Sequence, residues 1–297
     1  MSFKEELLSF THAKILFDEP MSKHTGYGIG GKAKFYAKAD SLYSLSEIIN
    51  LAKRYKIKHK IIGNGTNILV SDLGFNGIII DCKRINDIFL KKDSVRAMSG
   101  ASLEKLVKFA LDHKLTGLES MSGIPATVGG AIVMNAGAFG HNISDRLNSV
   151  EVLKDGKIVK YDKSECAFGY RTSRFLGKKE VIVSATFSLT EAEREIIVAS
   201  VETYKELRRA MHPTGRSCGS VFRNPKNRSA GMLIECAGLK GYRVGGAKVS
   251  EKHANFILAE KGAKSSDVYA LAQIVKNTVA NVYRIELKEE IEYLGDF

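Results

Sequence analysis

Residues 123–137 read Gly-Ile-Pro-Ala-Thr-Val-Gly-Gly-Ala-Ile-Val-Met-Asn-Ala-Gly, a stretch in which glycine, alanine and proline leave little side-chain bulk. A flat or charged ligand can approach such a backbone closely, and its amide N–H groups can turn towards an anion. A similar patch, Gly63-Asn64-Gly65-Thr66-Asn67, follows the apolar pair Ile61-Ile62. Either patch alone also fits close packing of helices or strands, but together they predict two loops that hold a diphosphate-bearing cofactor.

The composition is that of an ordinary globular protein with room for more than one domain. The chain has 297 residues, of which 44% are hydrophobic and 26% are charged, so two or three domains are expected. No apolar run reaches the length of a membrane span, and the charged N-terminal segment lacks the apolar core of a secretion signal. We therefore expect a cytoplasmic protein with no membrane partner.

An excess of basic residues favours anionic partners. Lysine and arginine number 45 against 33 acidic residues, which gives a net charge of +12. The basic residues are dispersed and match no nucleic-acid module, so we expect a phosphorylated small molecule and no nucleic acid. The four cysteines form no Cys-x-x-Cys pair and no histidine stands at zinc-ligand spacing, so no metal site is predicted.

Hydrophobic periodicity divides the chain into units that mix helices and strands. Helix spacing is clearest at 44–55, where Ser44 is a candidate cap, and at 102–113. A long charged helix is predicted over 191–211. The other predictions are an N-terminal helix leading into a loop that ends at Pro20, strands at 32–36, 60–63, 68–70, 77–81, 181–189, 255–259 and 285–294, a hairpin turning at Asp155-Gly156, and helices near 230–236 and over 266–283.

Two segments with chemical side chains stand beside turns, and each has a plain structural alternative. Arg171, next to Tyr170, could stabilise a developing oxyanion or simply stack on its neighbour at the surface. Ser220 follows Gly219 and could offer its hydroxyl to a ligand or only to the local backbone. Neighbouring Cys218 has no nearby base in the sequence that would make it a nucleophile.

Two further motifs need their context before they can be interpreted. Gly26–Gly31 matches G-x-G-x-x-G by letter, but no strand precedes it and no helix follows it, so a Rossmann dinucleotide site is excluded there. The last predicted strand carries Glu289, Glu290 and Glu292, and one of these acids could serve as a proton donor if it lies in a cleft. A solvated edge is the alternative, and spacing alone does not choose among them.

Taken in order, these motifs resemble the UDP-N-acetylenolpyruvoylglucosamine reductase family, also called UDP-N-acetylmuramate dehydrogenase. The resemblance runs from about Thr25 to Gly295. It rests on Thr25–Gly31, Gly63–Asn67, Ser122–Pro125 with Gly129–Ala131 and Asn135–Gly137, Tyr170-Arg171, Gly219-Ser220 with Phe222–Pro225, Leu239–Gly241, Ser250–Asn255 and the final acidic strand.

The resemblance implies an α+β architecture, a two-lobed FAD-binding fold of the PCMH type followed by a C-terminal α/β substrate-binding domain. We expect lobe 1 at residues 1–80, lobe 2 at 81–195 and the substrate-binding domain at 196–297. FAD would lie between the lobes with its pyrophosphate on both small-residue loops. The residues implied in cofactor binding are Gly63, Asn64, Gly65, Thr66, Asn67, Gly123, Ile124, Pro125, Thr127, Gly129, Gly130 and Ala131.

The resemblance also implies a reaction. NADPH reduces the flavin, which then passes hydride to the enolpyruvyl double bond of a UDP-sugar, and UDP-N-acetylmuramate for peptidoglycan is formed. Negative charge develops as an enolate, which Arg171 would stabilise, while Ser220 would protonate the adjacent carbon. Glu290 would assist as the terminal acid. Tyr170, Asn224 and Lys240 are implied in substrate binding, and we expect a monomer.

This chain departs from the family pattern at two places. The final strand usually reads Leu-Glu-Pro-Glu, whereas this chain reads Leu287-Lys288-Glu289-Glu290. Counting back five residues from Gly295 selects Glu290, and Glu289 takes the place of the usual proline. One subgroup also carries an inserted loop with a substrate-clamping tyrosine, for which there is no room after Leu189, so this chain resembles the shorter subgroup.

Two alternative functions remain open on the sequence alone. An oxidase on the same flavin fold would share the first two domains but would lack Ser220 and Glu290 in these contexts. A basic protein that binds nucleotides or nucleic acid would be colourless and would bind in a salt-sensitive way.

Overall fold

The computed structural model describes residues 2–9, 13–92 and 94–297. The α-helices in these residues are α1 (Phe3–Ser9), α2 (Leu42–Arg54), α3 (Leu103–Asp112), α4 (Val128–Met134), α5 (Arg194–Met211), α6 (Ala230–Cys236) and α7 (Ser265–Tyr283). Short 3₁₀ turns lie at Met21–Lys23, Glu119–Met121, Ile143–Arg146 and Lys163–Cys166.

The strands of the same residues are short, and most of them join small sheets. They are β1 (Ala13–Pro20), β2 (Lys32–Ala39), β3 (His59–Ile62), β4 (Ile68–Val70), β5 (Phe75–Asp81), β6 (Ile88–Lys91), β7 (Ser94–Met98), β8 (Leu115–Thr116), β9 (Gly137–Ala138), β10 (His141–Asn142), β11 (Leu147–Lys154), β12 (Lys157–Asp162), β13 (Val181–Ser188), β14 (Thr190–Glu191), β15 (Arg243–Val244), β16 (Ala247–Val249), β17 (Ile257–Ala259) and β18 (Glu292–Leu294). One sheet has the order β1-β2-β5-β3, in which β3 and β5 run parallel.

The chain folds into two units, each of which is assembled from separate stretches of the sequence. Unit 1 comprises Met1–Leu16, Tyr36–Gly63 and Ile78–Arg208, and unit 2 comprises Phe17–Phe35, Asn64–Gly77 and Arg209–Phe297. The three sequence domains at 1–80, 81–195 and 196–297 stay a prediction.

Unit 1 is built on an antiparallel sheet with the order β12-β11-β13-β7-β6. Helices α3 and α4 bury their apolar side chains with those of the sheet in one core, and burial of this surface is the main stabilising term. The predicted hairpin is confirmed: Lys154 pairs with Lys157, and Asp155 and Gly156 have φ of 46° and 77°. Two positive φ angles are what a tight two-residue hairpin turn requires.

Serine side chains start two helices of unit 1. Ser102 accepts a hydrogen bond from the Lys105 amide at 3.1 Å and caps α3. The cap of α2 was predicted wrongly, because Ser41 and not Ser44 occupies that position. The Ser44 amide donates to Ser41 Oγ at 3.1 Å, and the Ser44 hydroxyl accepts from the Ser41 amide in return.

Unit 2 packs α6 and α7 with the sheet β15-β16-β17 around a second core. The parallel pair β4 and β18 joins Ile68–Val70 to the end of the chain. The start of α7 is held by Asp72, whose carboxylate accepts hydrogen bonds from the amides of Ser265 and Ser266 at 2.8 and 2.9 Å. No helix among the residues described is both long and apolar enough to cross a bilayer.

Three predicted elements differ from the structure. Residues 13–20, expected as a loop, form β1, while the first residue and residues 10–12 of that prediction lie outside the described part. The strand expected over 285–294 is regular only at Glu292–Leu294. The small-residue stretch contains α4, because its apolar residues Val128, Ala131 and Ile132 have a helical spacing that buries them together.

Candidate functional site

The small-residue stretch 123–137 folds as a turn followed by α4. Gly123 has φ of 72°, a left-handed conformation that glycine adopts without strain. Thr127 caps α4 and accepts a hydrogen bond from the Gly130 amide at 3.4 Å. The helix ends at Asn135, which is also left-handed, with φ of 45°.

The first amides of α4 already have acceptors inside unit 1. The Val128 amide donates to the Ala101 carbonyl and the Gly129 amide donates to the Ser99 carbonyl, both at 2.8 Å. These N–H groups therefore do not point to a ligand, contrary to the expectation for an anion-binding loop. Glycine is needed here for space, since a Cβ on Gly129 would lie 2.9 Å from the Ser99 Cβ.

The two small-residue loops meet in unit 1 at Gly63 and Thr127. A Cβ on Gly63 would lie only 2.2 Å from the Thr127 Oγ1, so no larger residue fits without movement. The start of the first predicted loop and the middle of the second are thereby brought together, as the sequence predicts for a shared cofactor.

The residues of this region fit a polar, phosphate-bearing cofactor. The hydroxyl oxygen of Ser122 is buried and has no hydrogen-bond partner among the residues that the structure describes. A buried polar atom without a partner is costly, so a ligand that supplies one is favoured at this position.

The rest of the first loop, Asn64–Asn67, belongs to unit 2. The Gly26 amide donates to the Gly65 carbonyl at 2.9 Å, and a Cβ on Gly65 would lie 2.0 Å from the His24 carbonyl oxygen. The G-x-G-x-x-G segment is thus a turn packed against the Gly65 loop, in line with the exclusion of a Rossmann site. At the end of the loop, Asn67 Nδ2 donates to the Glu290 carbonyl at 3.0 Å.

Arg171 lies at the corner of a tight turn in unit 1. Gly169 and Thr172 exchange backbone hydrogen bonds at 3.1 and 3.3 Å, and Tyr170 and Arg171 form the corner. Arg171 has φ of 52°, which is strained for a residue with a side chain. Such strain persists only where the surrounding structure holds the residue in place, and it is frequent at active sites.

The Arg171 turn is tied to the end of the small-residue stretch. The Arg171 Nη2 donates to the Gly137 carbonyl at 2.7 Å, and Asn135 Nδ2 donates to the Gly169 carbonyl at 3.0 Å. Tyr170 is 54% exposed, and the centre of its ring lies 5.3 Å from the Arg171 guanidinium carbon. Unit 1 therefore places the candidate anion-stabilising residue and a candidate substrate residue beside the predicted cofactor stretch.

Ser220 lies in an extended segment between two other parts of unit 2. On one side it forms a bridge with Phe256, and the Val221 amide donates to the Asn255 carbonyl at 2.8 Å. On the other side the Glu290 amide donates to the Val221 carbonyl at 2.7 Å. Buried Asn255 fixes the segment further, since its side chain exchanges two hydrogen bonds with the Phe222 backbone at 2.8 and 3.0 Å.

Glu289 and Glu290 differ in what the structure shows of them. The Glu289 carboxylate lies 3.3 Å from both Lys276 Nζ and Gln273 Nε2, on helix α7. The Glu290 backbone bonds to Val221 and to Asn67, which are the residue after Ser220 and the last residue of the first loop. Unit 2 thus brings Ser220, Asn67 and Glu290 together, whereas Glu289 is committed to an ion pair.

The two candidate substrate residues in unit 2 have protein partners. The Asn224 Oδ1 accepts from the Ala230 amide at 2.9 Å, at the start of α6. The Lys240 Nζ lies 2.6 Å from a carboxylate oxygen of Glu235. Lys240 would have to exchange Glu235 for a phosphate to hold a sugar nucleotide.

Neither the Cys218 thiol nor a metal-binding cluster of side chains adds a reactive centre among the described residues. Burial raises the pKa of Cys218 to about 12, so this thiol stays protonated at neutral pH. No group of three or more His, Cys, Asp and Glu side chains in this part of the chain could hold a metal ion. Two surface cavities of about 420 and 220 Å³, both in unit 1, contain none of the predicted site residues.

One residue of unit 1 that lies beside the small-residue stretch was not singled out in the sequence. Arg208 lies in the last turn of α5 and donates from Nε to the Ser122 carbonyl at 3.1 Å, beside the small-residue stretch. No sequence signal distinguished it, because α5 is rich in charged residues and the hydrogen bond spans 86 positions.

Comparison with known proteins agrees with this layout. A family model described as the C-terminal domain of UDP-N-acetylenolpyruvoylglucosamine reductase matches residues 211–294, and one described as an FAD binding domain matches residues 33–162. The chain is 39% identical to the UDP-N-acetylenolpyruvoylglucosamine reductase of Listeria innocua over 97% of each chain. It is 40% identical to UDP-N-acetylenolpyruvoylglucosamine reductase 1 of Bacillus thuringiensis over 98% of each.

A solved structure supports the same assignment. The crystal structure of the UDP-N-acetylenolpyruvylglucosamine reductase from Thermus caldophilus covers 95% of this chain and 99% of its own, with a TM-score of 0.81 and 32% identity. The α+β architecture, an FAD-binding fold followed by a C-terminal domain, is therefore confirmed. The chain belongs to the UDP-N-acetylenolpyruvoylglucosamine reductase family.

Proposed function

We propose that this chain reduces the enolpyruvyl double bond of UDP-N-acetylenolpyruvoylglucosamine and gives UDP-N-acetylmuramate for peptidoglycan synthesis. NADPH is the electron donor and FAD is the cofactor. The observation that carries the proposal is the similarity of about 39% identity over 97% of both chains, since no domain of the relative is missing here. The oxidase and the nucleic-acid-binding alternatives lack such support.

Bound FAD would supply the hydride transfer from NADPH to the alkene carbon β to the substrate carboxylate. The protein has to hold the negative charge that develops as an enolate. Arg171 is proposed for this task because arginine carries a positive charge and the Arg171 guanidinium is held in place by a hydrogen bond from Nη2 to the Gly137 carbonyl at 2.7 Å. A charge fixed in place before the reaction stabilises the transition state without further reorganisation.

Ser220 and Glu290 are proposed as the groups that move the proton. The Ser220 hydroxyl would protonate the carbon next to the carboxylate, and Glu290 would assist as an acid on the neighbouring segment. Their segments are joined by the hydrogen bond between the Glu290 amide and the Val221 carbonyl at 2.7 Å, which supports a shared role. Glu289 is a poorer candidate because its carboxylate pairs with Lys276.

Binding residues are proposed on both units. In unit 1 these are Gly63, Gly123, Ile124, Pro125, Thr127, Gly129, Gly130 and Ala131 for FAD and Tyr170 for the substrate. In unit 2 they are Asn64, Gly65, Thr66 and Asn67 for FAD and Asn224 and Lys240 for the sugar nucleotide. A monomer in the cytoplasm is proposed as well, without a nucleic-acid partner.

The experiment that tests the function follows NADPH oxidation at 340 nm with the purified flavoprotein. We expect rapid and stoichiometric oxidation when the enolpyruvyl sugar nucleotide is added, and slow oxidation by oxygen alone. Oxidation that does not respond to the sugar nucleotide but produces hydrogen peroxide would instead show an oxidase.

A further inference from the structure

The Arg208 guanidinium is a partly buried cation with no acidic partner in the described part of the chain. Its Nη2 atom is buried and has no hydrogen-bond partner among the residues that the structure describes. Burial lowers the pKa of Arg208, and none of these residues supplies an acidic side chain that opposes the shift. A cation removed from water without an anion is costly, so an anionic ligand is favoured at this place.

The surroundings of Arg208 fix its orientation. Its Nε donates to the Ser122 carbonyl at 3.1 Å, and its guanidinium carbon lies 5.3 Å from the centre of the Phe139 ring. A Cβ on Gly123 would lie 3.1 Å from the Arg208 Cδ and 3.2 Å from its Nε, so glycine is required for this close approach. Phe139 itself has a left-handed φ of 55°. The side chain is thus held along the first turn of the small-residue stretch.

A second buried polar atom without a hydrogen-bond partner in the described residues belongs to Ser122, the residue before Gly123. The Ser122 hydroxyl oxygen is buried without a partner in the described residues, and the carbonyl of the same residue receives the Arg208 Nε. At this turn, the Ser122 hydroxyl and one N–H group of the Arg208 guanidinium therefore lack hydrogen-bond partners among the described residues. A phosphate oxygen accepts hydrogen bonds from both types of donor.

We infer that Arg208 binds a phosphate oxygen of FAD through Nη2 while its Nε holds the Ser122–Gly123 turn. The inference rests on the proposed function, from which it takes the identity of the cofactor. Arginine suits both tasks because its planar fork presents several N–H groups in a fixed geometry, which the single ammonium of lysine cannot do. Arg208 is accordingly a cofactor-binding residue that sequence motifs do not mark.

The test compares the binding of two flavins to the full-length protein after its flavin has been removed. FAD carries phosphate and riboflavin carries none, so a phosphate contact affects only the first. The variants are Arg208→Met, which keeps the bulk, and Arg208→Lys, which keeps the charge. Arg209→Ala is the matched control, since it removes the same charge from the next, exposed position of α5. Quenching of flavin fluorescence gives each Kd.

We expect Arg208→Met to weaken FAD binding roughly 10- to 100-fold, as the loss of a charged hydrogen bond implies, and Arg208→Lys to lie between it and the wild type. Riboflavin binding by both variants, and both affinities of Arg209→Ala, should stay within about twofold of the wild type, as is usual for substitutions without a lost contact.

Equal weakening of FAD and riboflavin by both Arg208 variants would show that Arg208 only supports the fold of the turn, and the inference would be wrong. Unchanged FAD binding would contradict it as well. A wild-type protein that binds neither flavin would overturn the proposed function itself. This result is distinguishable from the two outcomes above, in which the wild-type protein does bind flavin.

Discussion

The side chain of Asn67 donates a hydrogen bond from Nδ2 to the backbone carbonyl of Glu290 at 3.0 Å, across 223 positions of sequence. The Glu292 amide returns a hydrogen bond to the Asn67 carbonyl at 2.9 Å. The end of the first small-residue loop and the final acidic segment are therefore one local structure in unit 2. This places a proposed cofactor-binding residue directly beside a proposed acid.

The pair Glu289 and Glu290 offers a direct test of the register of the final segment. We expect Glu290→Gln to lower turnover of the sugar nucleotide about 100-fold, because an amide cannot serve as the acid. Glu289→Gln should leave turnover near the wild type and lower the free energy of unfolding by about 0.5–1 kcal/mol, since it weakens the pair with Lys276. Steady-state kinetics and urea unfolding measure the two effects. The opposite order of turnover would assign the acid to Glu289.

Ser220→Ala should separate the two halves of the reaction. Reduction of the flavin by NADPH needs no proton from Ser220 and should stay nearly unchanged. Oxidation of the reduced enzyme by the sugar nucleotide should slow by about 10²- to 10⁴-fold. Stopped-flow absorbance at 450 nm follows both steps. Equal slowing of both would indicate that the serine only maintains its segment.

Arg171→Lys tests whether charge or geometry stabilises the enolate. Lysine keeps the charge but loses the planar group that donates to the Gly137 carbonyl. We expect kcat to fall roughly tenfold, less than the loss expected on removal of an anion-stabilising donor altogether. Arg174→Lys, three positions away, is the control and should keep kcat. If Arg171→Lys retained full turnover, Arg171 would have no role in the chemistry.

Asp72 should contribute to stability in a pH-dependent way. Burial alone would raise its pKa, but hydrogen bonds from Ser266 and Ser265 lower the pKa below the ordinary value of 3.8 overall. A carboxylate with a lowered pKa in the folded protein stabilises it above the unfolded pKa, and this contribution is lost as the pH falls through the folded pKa. We expect Asp72→Ala to cost about 1 kcal/mol at pH 7, as the loss of a helix cap does.

The difference between wild type and Asp72→Ala should shrink as the pH falls from the unfolded pKa of the carboxyl group into the acid-unfolded range, and urea unfolding at several pH values measures it. A difference that stayed constant as the wild-type carboxylate became protonated would show that Asp72 does not act through its charge.

The sequence predicted those parts of the fold that depend on local signals. Asp155-Gly156 specifies its hairpin because the turn itself needs positive φ, and helix α3 was predicted because its apolar side chains recur at helical spacing. The strand Ala13–Pro20 was missed, since its burial pattern does not alternate. The strand expected over 285–294 is regular only from Glu292 onward. Before Glu292, the described residues make isolated contacts with distant segments, such as the bridge between Phe222 and Glu289, which the sequence does not reveal.

The sequence singles out candidate site residues where a motif marks them, but it does not show which distant residues lie in contact. Gly63 and Thr127 were both predicted, and the structure adds that a Cβ on the glycine would lie 2.2 Å from the threonine hydroxyl. The commitment of the Gly129 amide to Ser99 was not foreseeable, since the acceptor is 30 positions upstream. Arg208 likewise reaches Ser122 from a helix whose sequence has no cofactor motif.

The decisive measurement for flavin-dependent reduction of the sugar nucleotide is the visible spectrum of the purified protein. The spectrum is recorded before and after titration with NADPH, and again after addition of the enolpyruvyl sugar nucleotide. We expect a yellow protein with tightly bound FAD. NADPH should bleach the yellow colour, and the sugar nucleotide should restore it in the absence of oxygen. A protein that acquires no flavin on reconstitution, or a bleached flavin that the sugar nucleotide leaves reduced, would contradict it.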